Sequence, residues 1–478
     1  MKYNTYKYLG LLGICLGITV ESCKVPAINS RTENKAVPES YADSRDTTNI
    51  ANIKWHDFFK DAYLSDLIDT ALLNNKELMV TMQDIEIARN DIRVRKGAIL
   101  PSISLGAGAG IEKVGKYTSQ GAGDASTDIE PGKAVPDWLP NLNVGLTAEW
   151  EVDIWKKLHN AKKAAVMRYL STVEGKNFVL TNLIAEVANS YYELLAYDNQ
   201  LAIVKQNIDL QKNALKVIKI QKDAARETEL AVQKFQAEVL KSQSLEFEIM
   251  QNIKESENNI NFLLGRFPQK IARENKSFFD IQPNIVQSGI PSQLLANRAD
   301  IRQAEQDLMA SKLDIKIARA EFYPSFSISA GLGFEAFSPR YLFRLPESLL
   351  GSLAGDIAGP LINRNAIKAE YSSANAKQLQ AAYNYERTIL NAYVEVSNQL
   401  SKIENLKKSY DLKSQQVDAL TNSIGISNDL FKSARANYME VLMTQRDALD
   451  AKMELIETRK QQLSAVVNTY KALGGGWK

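Results

Sequence analysis

The chain has 478 residues, of which 45% are hydrophobic and 24% charged, and its 58 basic and 56 acidic residues give a net charge of +2. This balance argues against a nucleic-acid-binding protein, which normally carries a strong basic excess. Two cysteines and two histidines leave little for metal chemistry, and 24 glycines with 13 prolines are too few for a collagen-like or broadly disordered chain.

Residues 1–22 are predicted to be a signal peptide. Two lysines precede an uncharged, mostly apolar run at 9–20, which is shorter than the ~20 residues that a membrane-spanning helix needs. Ser22-Cys23 follows and resembles the cleavage site of a bacterial lipoprotein, although Glu21 is atypical there. An ordinary signal peptide with an incidental cysteine is the alternative. With lipidation, Cys23 would begin a flexible segment over 23–50.

The rest of the chain is predicted to contain two copies of one structural plan. Residues 91–110 align without a gap with 314–333, at an offset of 223, and this alignment matches Pro101 with Pro324. A set of apolar residues spaced seven apart over 180–215 recurs 209 residues later. These correspondences predict a first repeat over 51–270, a linker over 271–293 and a second repeat over 294–474.

The seven-residue spacing predicts long, paired helices, because it keeps one apolar stripe against a neighbouring helix. A helix from 155 to 222 would be ~100 Å long at ~1.5 Å per residue. In each repeat a returning helix follows a turn, predicted near 223–228 in the first repeat and near 424–428 in the second. Taken alone, this pattern fits a coiled-coil spacer equally well.

Four short segments alternate between apolar and small or polar residues and are predicted to be β-strands, at about 101–113, 140–153, 324–337 and 349–360. Because the flanking helices use their apolar stripes against each other, lipid is the better cover for the apolar faces of the strands. An open strand edge in hydrocarbon would leave backbone groups unpaired, so copies of the chain must join to close a barrel. Two chains would give eight strands with a filled interior, and three would give twelve with room for a pore.

Trp150-Glu-Val-Asp-Ile-Trp155 resembles the W-E-x-D-[LI]-[WF] signature of TolC-like outer membrane efflux proteins, in their NodT-type lipoprotein branch. Further motifs agree with this family in the same order, at 55–64, 263–268, 294–305 and 438–446, so the resemblance covers 50–474. The departures are local. Ala299 replaces a family proline, and Ala225 and Ala434 stand where each hairpin tip usually carries glycine.

The resemblance implies a mixed, mainly α fold with long antiparallel helical hairpins and four amphipathic strands per chain. Three chains would form a 12-stranded β-barrel continued by a periplasmic α-helical barrel. The family works as the exit duct of a tripartite efflux system, lipid-anchored in the outer membrane of a Gram-negative bacterium. The resemblance also implies a homotrimer that works with a periplasmic adaptor (membrane fusion) protein and contacts outer membrane lipid. The remaining partner is an inner-membrane transporter, for which the resistance-nodulation type is preferred to an ABC exporter.

No catalytic residue, cofactor, metal ion or nucleic-acid partner is expected, since the sequence contains no phosphate loop, metal cluster or triad-like pattern. His56 and His159 lack a ligand partner at motif spacing, so neither is expected to bind a metal. The competing interpretation is a structural periplasmic coiled-coil lipoprotein without channel activity. It explains the heptads and Cys23 but not four amphipathic strands placed symmetrically in two repeats.

A duct must be closed at rest, and the family implies that closure occurs at the hairpin tips. The candidates for a gate or an adaptor contact are Arg226, Glu229, Phe431, Arg435 and Glu440, with Glu227 and Asp429 as further tip carboxylates. The repeat alignment places Arg226 and Arg435 at equivalent positions. The alternative is that these are solvated surface charges, worth at most ~1 kcal/mol per pair.

Five residues are candidates for a structural role: Trp150, Asp153, Trp155, Pro101 and Pro324. Asp153 lies where a strand is expected to give way to a helix, and a carboxylate near a helix N-terminus is favourable. The two tryptophans are typical of the aromatic girdle at a membrane interface.

Overall fold

The computed structural model of the chain describes residues 25–28, 31–41, 47–274, 278–281, 286–359 and 364–477. The signal peptide and Cys23 lie outside these residues. Two compact units can be distinguished. The sheet unit comprises the described part of Met1–Thr32 with Glu86–Tyr169 and Gln306–Ala382, and the helical unit comprises Glu33–Ile85, Leu170–Glu305 and Tyr383–Lys478. Each unit therefore contains parts of both sequence repeats.

The helices follow the same order in both repeats. The first repeat contains α1 (Trp55–Phe58), α2 (Ala62–Asn74), α3 (Lys76–Gly97), α4 (Ser119–Asp124), α5 (Lys157–Asp223) and α6 (Glu229–Leu263). The second contains α7 (Leu294–Asn297), α8 (Ala299–Ala320), α9 (Asn365–Lys432) and α10 (Tyr438–Ala472). Short 3-10 turns lie at Ile50–Asn52 and Pro291–Gln293. Over the described residues, no helix is both long enough and apolar enough to cross a membrane.

The two long hairpins correspond residue for residue. The ends of α5 and α9, and both ends of α6 and α10, are 209 residues apart, which is the offset found in the sequence. The second turn therefore lies at 433–437, and the prediction of a turn near 424–428 is wrong. Residues 424–428 include a glycine and polar residues that favour turns, but they continue α9, where the Ser427 hydroxyl donates to the Ile424 carbonyl at 3.1 Å.

Four strands form one antiparallel sheet in the order β1-β4-β5-β6, with β1 (Ser102–Glu112), β4 (Leu139–Val152), β5 (Ser325–Ala336) and β6 (Leu349–Ala358). A two-stranded hairpin of β2 (Asp128–Glu130) and β3 (Lys133–Ala134) occupies the loop between β1 and β4. The four long strands lie where the sequence alternates. Pro101 and Pro324 immediately precede β1 and β5.

The sheet has one apolar face and one face of small and polar residues. Leu105, Leu146 and Leu332 are directly opposite one another in adjacent strands, and the next row consists of Gly106, Gly145 and Gly333. Directly opposite residues share a face, so the alternation is in register across these strands. The apolar face has no cover in the described part of the chain, because Ile103, Leu105 and Leu353 are 71%, 75% and 79% exposed.

Equivalent polar side chains hold the end of each returning helix. The Asn75 amide donates to the Leu263 carbonyl at 2.9 Å. Arg298, which follows Asn75 by the 223-residue offset, donates to the Ala472 carbonyl at 2.8 Å. Both acceptors are the last residues of their helices, α6 and α10. The repeat therefore extends from the sequence to individual hydrogen bonds.

The turns that follow these helices also match. Gly265 and Gly474 have φ angles of +65° and +87°. A Cβ atom would lie 2.3 Å from the Asn74 carbonyl oxygen in the first case and 2.5 Å from the Asn297 carbonyl oxygen in the second. Glycine is required at both positions by the backbone conformation and by the lack of space.

Arg298 is the centre of a buried ion network. Its side chain is 9% exposed and donates to Asp300 at 2.7 and 3.0 Å and to Glu395 at 2.8 Å. Burial alone would lower the pKa of Arg298, but the hydrogen bonds and charges of Asp300 and Glu395 hold it above its usual value. Arg298 is therefore a permanent cation that links α8, α9 and the end of α10.

Residues 33–41 contact helices within the helical unit, whereas the sequence alone suggests a flexible segment. Lys35 Nζ lies 2.6 Å from a carboxylate oxygen of Glu305 in α8. Tyr41 is buried and stacks on Tyr393 of α9, with the ring centroids 5.5 Å apart.

Candidate gate at the hairpin tips

Both hairpin tips have the same backbone turn. In the first tip the Arg226 N–H donates to the Gln221 carbonyl at 2.8 Å, and in the second the Arg435 N–H donates to the Leu430 carbonyl, also at 2.8 Å. Shorter-range bonds from the preceding alanines complete the Schellman motif that commonly ends a helix. Arg226 and Arg435 are thus structurally equivalent.

The residue before each arginine has a left-handed backbone conformation. The φ angles are +58° for Ala225 and +56° for Ala434. This conformation costs an L-residue ~1–2 kcal/mol, and glycine normally occupies it. The alanines therefore adopt the left-handed conformation that the turn requires, and each tip retains a small backbone strain.

Side-chain caps begin both returning helices. In the first tip the Thr228 hydroxyl accepts from the Ala231 N–H at 3.2 Å. In the second the Asn437 side chain accepts from the Glu440 N–H at 3.0 Å, and the Glu440 carboxylate accepts from the Asn437 N–H at 3.4 Å. The second pair is a capping box. Glu440 therefore has a local structural role at the start of α10, whatever its role in a pore.

The charged groups of the tips fall into two classes. Lys222 Nζ lies 2.8 Å from Glu229 across the first turn, and its hydrogen bond holds the pKa of Glu229 below its usual value. In the second tip, Lys432 pairs with Asp429 at 3.3 Å. The guanidinium groups of Arg226 and Arg435 are exposed and have no ion-pair or side-chain hydrogen-bond partner among the described residues. Arg226 and Arg435 are therefore cations that remain available for partners outside this chain.

Phe431 packs between the two hairpins. Ile218, Ala231, Val232, Phe235 and Leu442 form a buried cluster near the tips, which we call the tip cluster. Phe431 lies against it together with Ala214, Leu215, Tyr438 and Met439. The cluster joins α5, α6, α9 and α10, so Phe431 fixes the end of the second hairpin against the first.

Asp153 caps the start of the long helix α5. Its carboxylate accepts from the backbone N–H groups of Leu158 at 3.0 Å and His159 at 2.8 Å, and it lies 2.6 Å from His159 Nδ1. Burial alone would raise the pKa of Asp153, but the donors on His159 and Leu158 hold it below its usual value. The sequence predicted an acid near a helix start, but it did not predict the contact with the histidine ring.

The two tryptophans of the signature bond to the connections that precede β1 and β5. Trp150 Nε1 donates to the Ile99 carbonyl at 3.0 Å, and Trp155 Nε1 donates to the Pro324 carbonyl at 2.8 Å. Trp155 also stacks on Tyr323, with ring centroids 4.6 Å apart. The signature thus links equivalent connections in the two repeats.

Among the described residues, no group of three or more His, Cys, Asp or Glu side chains is arranged to hold a metal ion. His56 lies 3.5 Å from Asp69 and stacks on Trp55, with ring centroids 3.5 Å apart.

A comparison with known families decides the identity of the fold. The family described as outer membrane efflux protein matches residues 67–266 and 290–475. This chain belongs to that family.

Curated relatives match the efflux protein over most of its length. The pyoverdine export outer membrane protein OpmQ of Pseudomonas aeruginosa is 27% identical over 426 residues, which are 89% of this chain and 88% of the relative. The cation efflux system protein CusC of Escherichia coli is 25% identical over 474 residues, or 98% and 99% of the two chains. The toluene efflux pump outer membrane protein TtgI of Pseudomonas putida is 27% identical over 442 residues, or 92% and 91%.

Solved structures share the fold. A crystal structure of CusC has a TM-score of 0.81 and 23% identity, covering 94% of this chain and 99% of the other. The open state of the MtrE outer membrane channel of Neisseria gonorrhoeae has a TM-score of 0.82 and 22% identity, covering 95% and 98%.

These findings confirm the resemblance seen in the sequence and the fold class that it implied. The efflux protein is an outer membrane channel of a tripartite efflux system, and it extends into the periplasm. Its family is one of transport channels that form trimers and work with adaptors and inner-membrane pumps. Nothing favours the competing interpretation as a coiled-coil lipoprotein without channel activity.

Proposed function

We propose that this efflux protein is a passive exit duct that is closed at its hairpin tips. The observation that supports this is the equivalent placement of Arg226 and Arg435, each exposed on a tip turn and without an ion-pair partner among the described residues. In a trimer each position occurs three times, so neighbouring copies or an adaptor can supply the missing carboxylates. Glu227, Glu229 and Glu440 are candidate partners from a neighbouring copy.

The proposed duct performs no chemical step of its own. The energy for transport comes from the inner-membrane transporter, and solute passes through the duct once the tips separate. In this proposal the channel has neither a catalytic group nor a cofactor, and its working parts are the sheet and the tips.

The sheet is the proposed membrane-embedded part. Its exposed apolar face, which includes Ile103, Leu105 and Leu353, would contact outer membrane lipid. Its opposite face, which includes Gly106, Gly145 and Gly333, would line the pore. Twelve strands from three chains would leave no strand edge unpaired.

We propose a membrane fusion adaptor at the tips and a transporter of the resistance-nodulation type behind it, with an ABC exporter as the second candidate. A photoreactive crosslinker on Arg226 or Arg435 should capture the adaptor in intact cells. If crosslinkers at both Arg226 and Arg435 captured only lipoproteins other than an adaptor, the proposal of an adaptor at the tips would be contradicted.

The cargo is proposed to be set by the transporter. Relatives at 25–27% identity are named for pyoverdine, cations and toluene, three cargoes of unrelated chemistry. A deletion strain should therefore become more sensitive to one or several small toxic solutes, and the purified trimer should conduct ions in planar bilayers. A protein that stays non-conducting even when its tips are mutated would contradict the duct.

Cys23 is proposed to carry a lipid anchor after signal cleavage. The support is the sequence alone, because Cys23 lies outside the described residues. Mass spectrometry of the mature N-terminal peptide should find Cys23 acylated, and a Cys23→Ser variant should lack the added mass. An N-terminus that begins elsewhere would exclude this anchor.

A further inference from the structure

The first hairpin contains a polar layer between two hydrophobic clusters. On α5, Val204, Gln211 and Ile218 are spaced seven residues apart, and each is at most 1% exposed. On α6, Phe235, Ser242 and Ile249 have the same spacing and are at most 2% exposed. A seven-residue spacing keeps side chains in the same seam between helices, so each middle residue lies between its two neighbours along that seam.

The outer members of these triplets belong to separate clusters. Ile218 and Phe235 belong to the tip cluster. Val204 and Ile249 belong to a second cluster, with Ile208 and Leu449, which we call the stem cluster. Gln211 and Ser242 therefore lie at the level where one cluster ends and the other begins.

Helix α10 adds a third polar side chain at this level. Its Leu442 belongs to the tip cluster and its Leu449 to the stem cluster. Gln445 lies between them in the sequence and is 3% exposed. We call Gln211, Ser242 and Gln445 the polar layer.

The polar layer is poorly satisfied in the packed arrangement. Both amide atoms of Gln211, and Oε1 of Gln445, are buried without a hydrogen-bond partner among the described residues. Buried polar groups are normally hydrogen-bonded, and leaving one unpaired is unfavourable. Close packing of the three helices therefore leaves three buried polar atoms unpaired at this level, two on Gln211 and one on Gln445.

The second repeat lacks this feature at the equivalent positions. Leu420 stands 209 residues after Gln211, and Ala451 stands 209 residues after Ser242. The second hairpin reverses the pattern, because the residues that flank Leu420 and Ala451 at seven-residue spacing are polar: Lys413, Ser427, Thr444 and Thr458. A polar layer between two apolar levels is therefore specific to the first hairpin.

We propose that the polar layer is the plane at which the tip separates from the stem when the channel opens. This inference rests on the proposed closure at the tips. Opening must move the tip helices against one another, and an unbroken apolar seam would lose buried area along its whole length. If the helices separate at the polar layer, the side-chain amides of Gln211 and Gln445 can instead form hydrogen bonds with water or with each other. The tip cluster can then move as a unit while the stem cluster stays packed.

The test uses the residues that the second repeat already carries. We expect the double variant Gln211→Leu with Ser242→Ala, studied as the full-length trimer, to slow amide hydrogen exchange about tenfold over the tip-cluster segments 214–235 and 438–442. Exchange over the stem-cluster segment 245–253 should change less than twofold. The matched control is Gln206→Leu, an exposed glutamine on the same helix, which should change neither segment.

A second measurement separates this inference from the gating proposal. In an Arg435→Ala background that leaks, the layer variant should reduce the ion leak about tenfold. Unchanged exchange at the tips, or equal slowing in both segments, would overturn the polar layer as a plane of separation. If Arg435→Ala does not leak, the proposed gate fails, while the exchange experiment still decides the role of the layer. Gln211→Met replaces Gln211→Leu if the leucine variant does not assemble.

Discussion

Replacing Arg298 by alanine should destabilise the efflux protein more than any other single substitution considered for it. The change leaves two carboxylates, Asp300 and Glu395, and the Ala472 carbonyl without their buried donor. Removing one partner of a fully buried ion pair typically costs ~3–5 kcal/mol, and the loss here is expected at the low end because the Asp300 and Glu395 side chains are 19% and 35% exposed. The melting temperature of the detergent-solubilised trimer measures the effect, and we expect a loss of many degrees or a failure to assemble.

Two further variants make this result interpretable. Arg298→Lys keeps the charge but not the planar fork that reaches several acceptors at once, so its melting temperature should be intermediate. Arg95→Ala breaks an exposed pair with Asp91 and should cost at most ~1 kcal/mol. If Arg298→Ala melts at the same temperature as Arg95→Ala, the network does not stabilise the helical unit.

Combining Arg435→Ala with Glu440→Gln should raise the resting ion flow through the channel. Glutamine can still complete the capping box with Asn437, so this variant removes the two charges without removing the helix cap. Three symmetry-related contacts of ~1 kcal/mol each would favour the closed state by ~3 kcal/mol, or roughly a hundredfold in population. Single-channel recording in planar bilayers measures the leak.

The matched control removes a cation and an anion from the same helix away from the tip. Lys408 and Glu404 form an exposed pair on α9 at 2.7 Å, and Lys408→Ala with Glu404→Gln should leave the resting current unchanged. High salt should also increase the wild-type leak, because it screens exposed charges. A double tip variant as tight as the wild type would remove Arg435 and Glu440 from the gate.

Much of the fold could be predicted because the chain repeats itself. The 209-residue offset, found from heptad positions alone, also relates the turns at Ala225 and Ala434 and the glycines at 265 and 474. The prediction of a second turn near 424–428 is wrong, whereas the same offset applied to the first turn at 223–228 gives 432–437, where the structure has it. Heptad packing continued α9 through residues that favour turns when considered singly.

Less of the candidate gate could be predicted, and for different reasons. The capping box at Asn437 and Glu440 is visible in the sequence as Asn-x-x-Glu before an apolar run, but Glu440 was considered only as a pore charge. Two of the three partners of Arg298, Glu395 and Ala472, lie 97 and 174 residues away in the sequence, so no local pattern reveals them. The unpaired amide of Gln211 depends on the packing of three helices and cannot be seen in one heptad.

The row of glycines across the sheet has a consequence for what the channel can carry. A Cβ atom on Gly333 would lie 2.7 Å from the Cα atom of Gly145, so neither of these two glycines can readily be replaced by a residue with a side chain. If this face lines the pore as proposed, two adjacent strands present backbone without side chains at this level, and a passing molecule meets few groups there that could bind it. Such a lining suits a common outlet, because pumps with different cargoes could be exchanged behind it without rebuilding the wall.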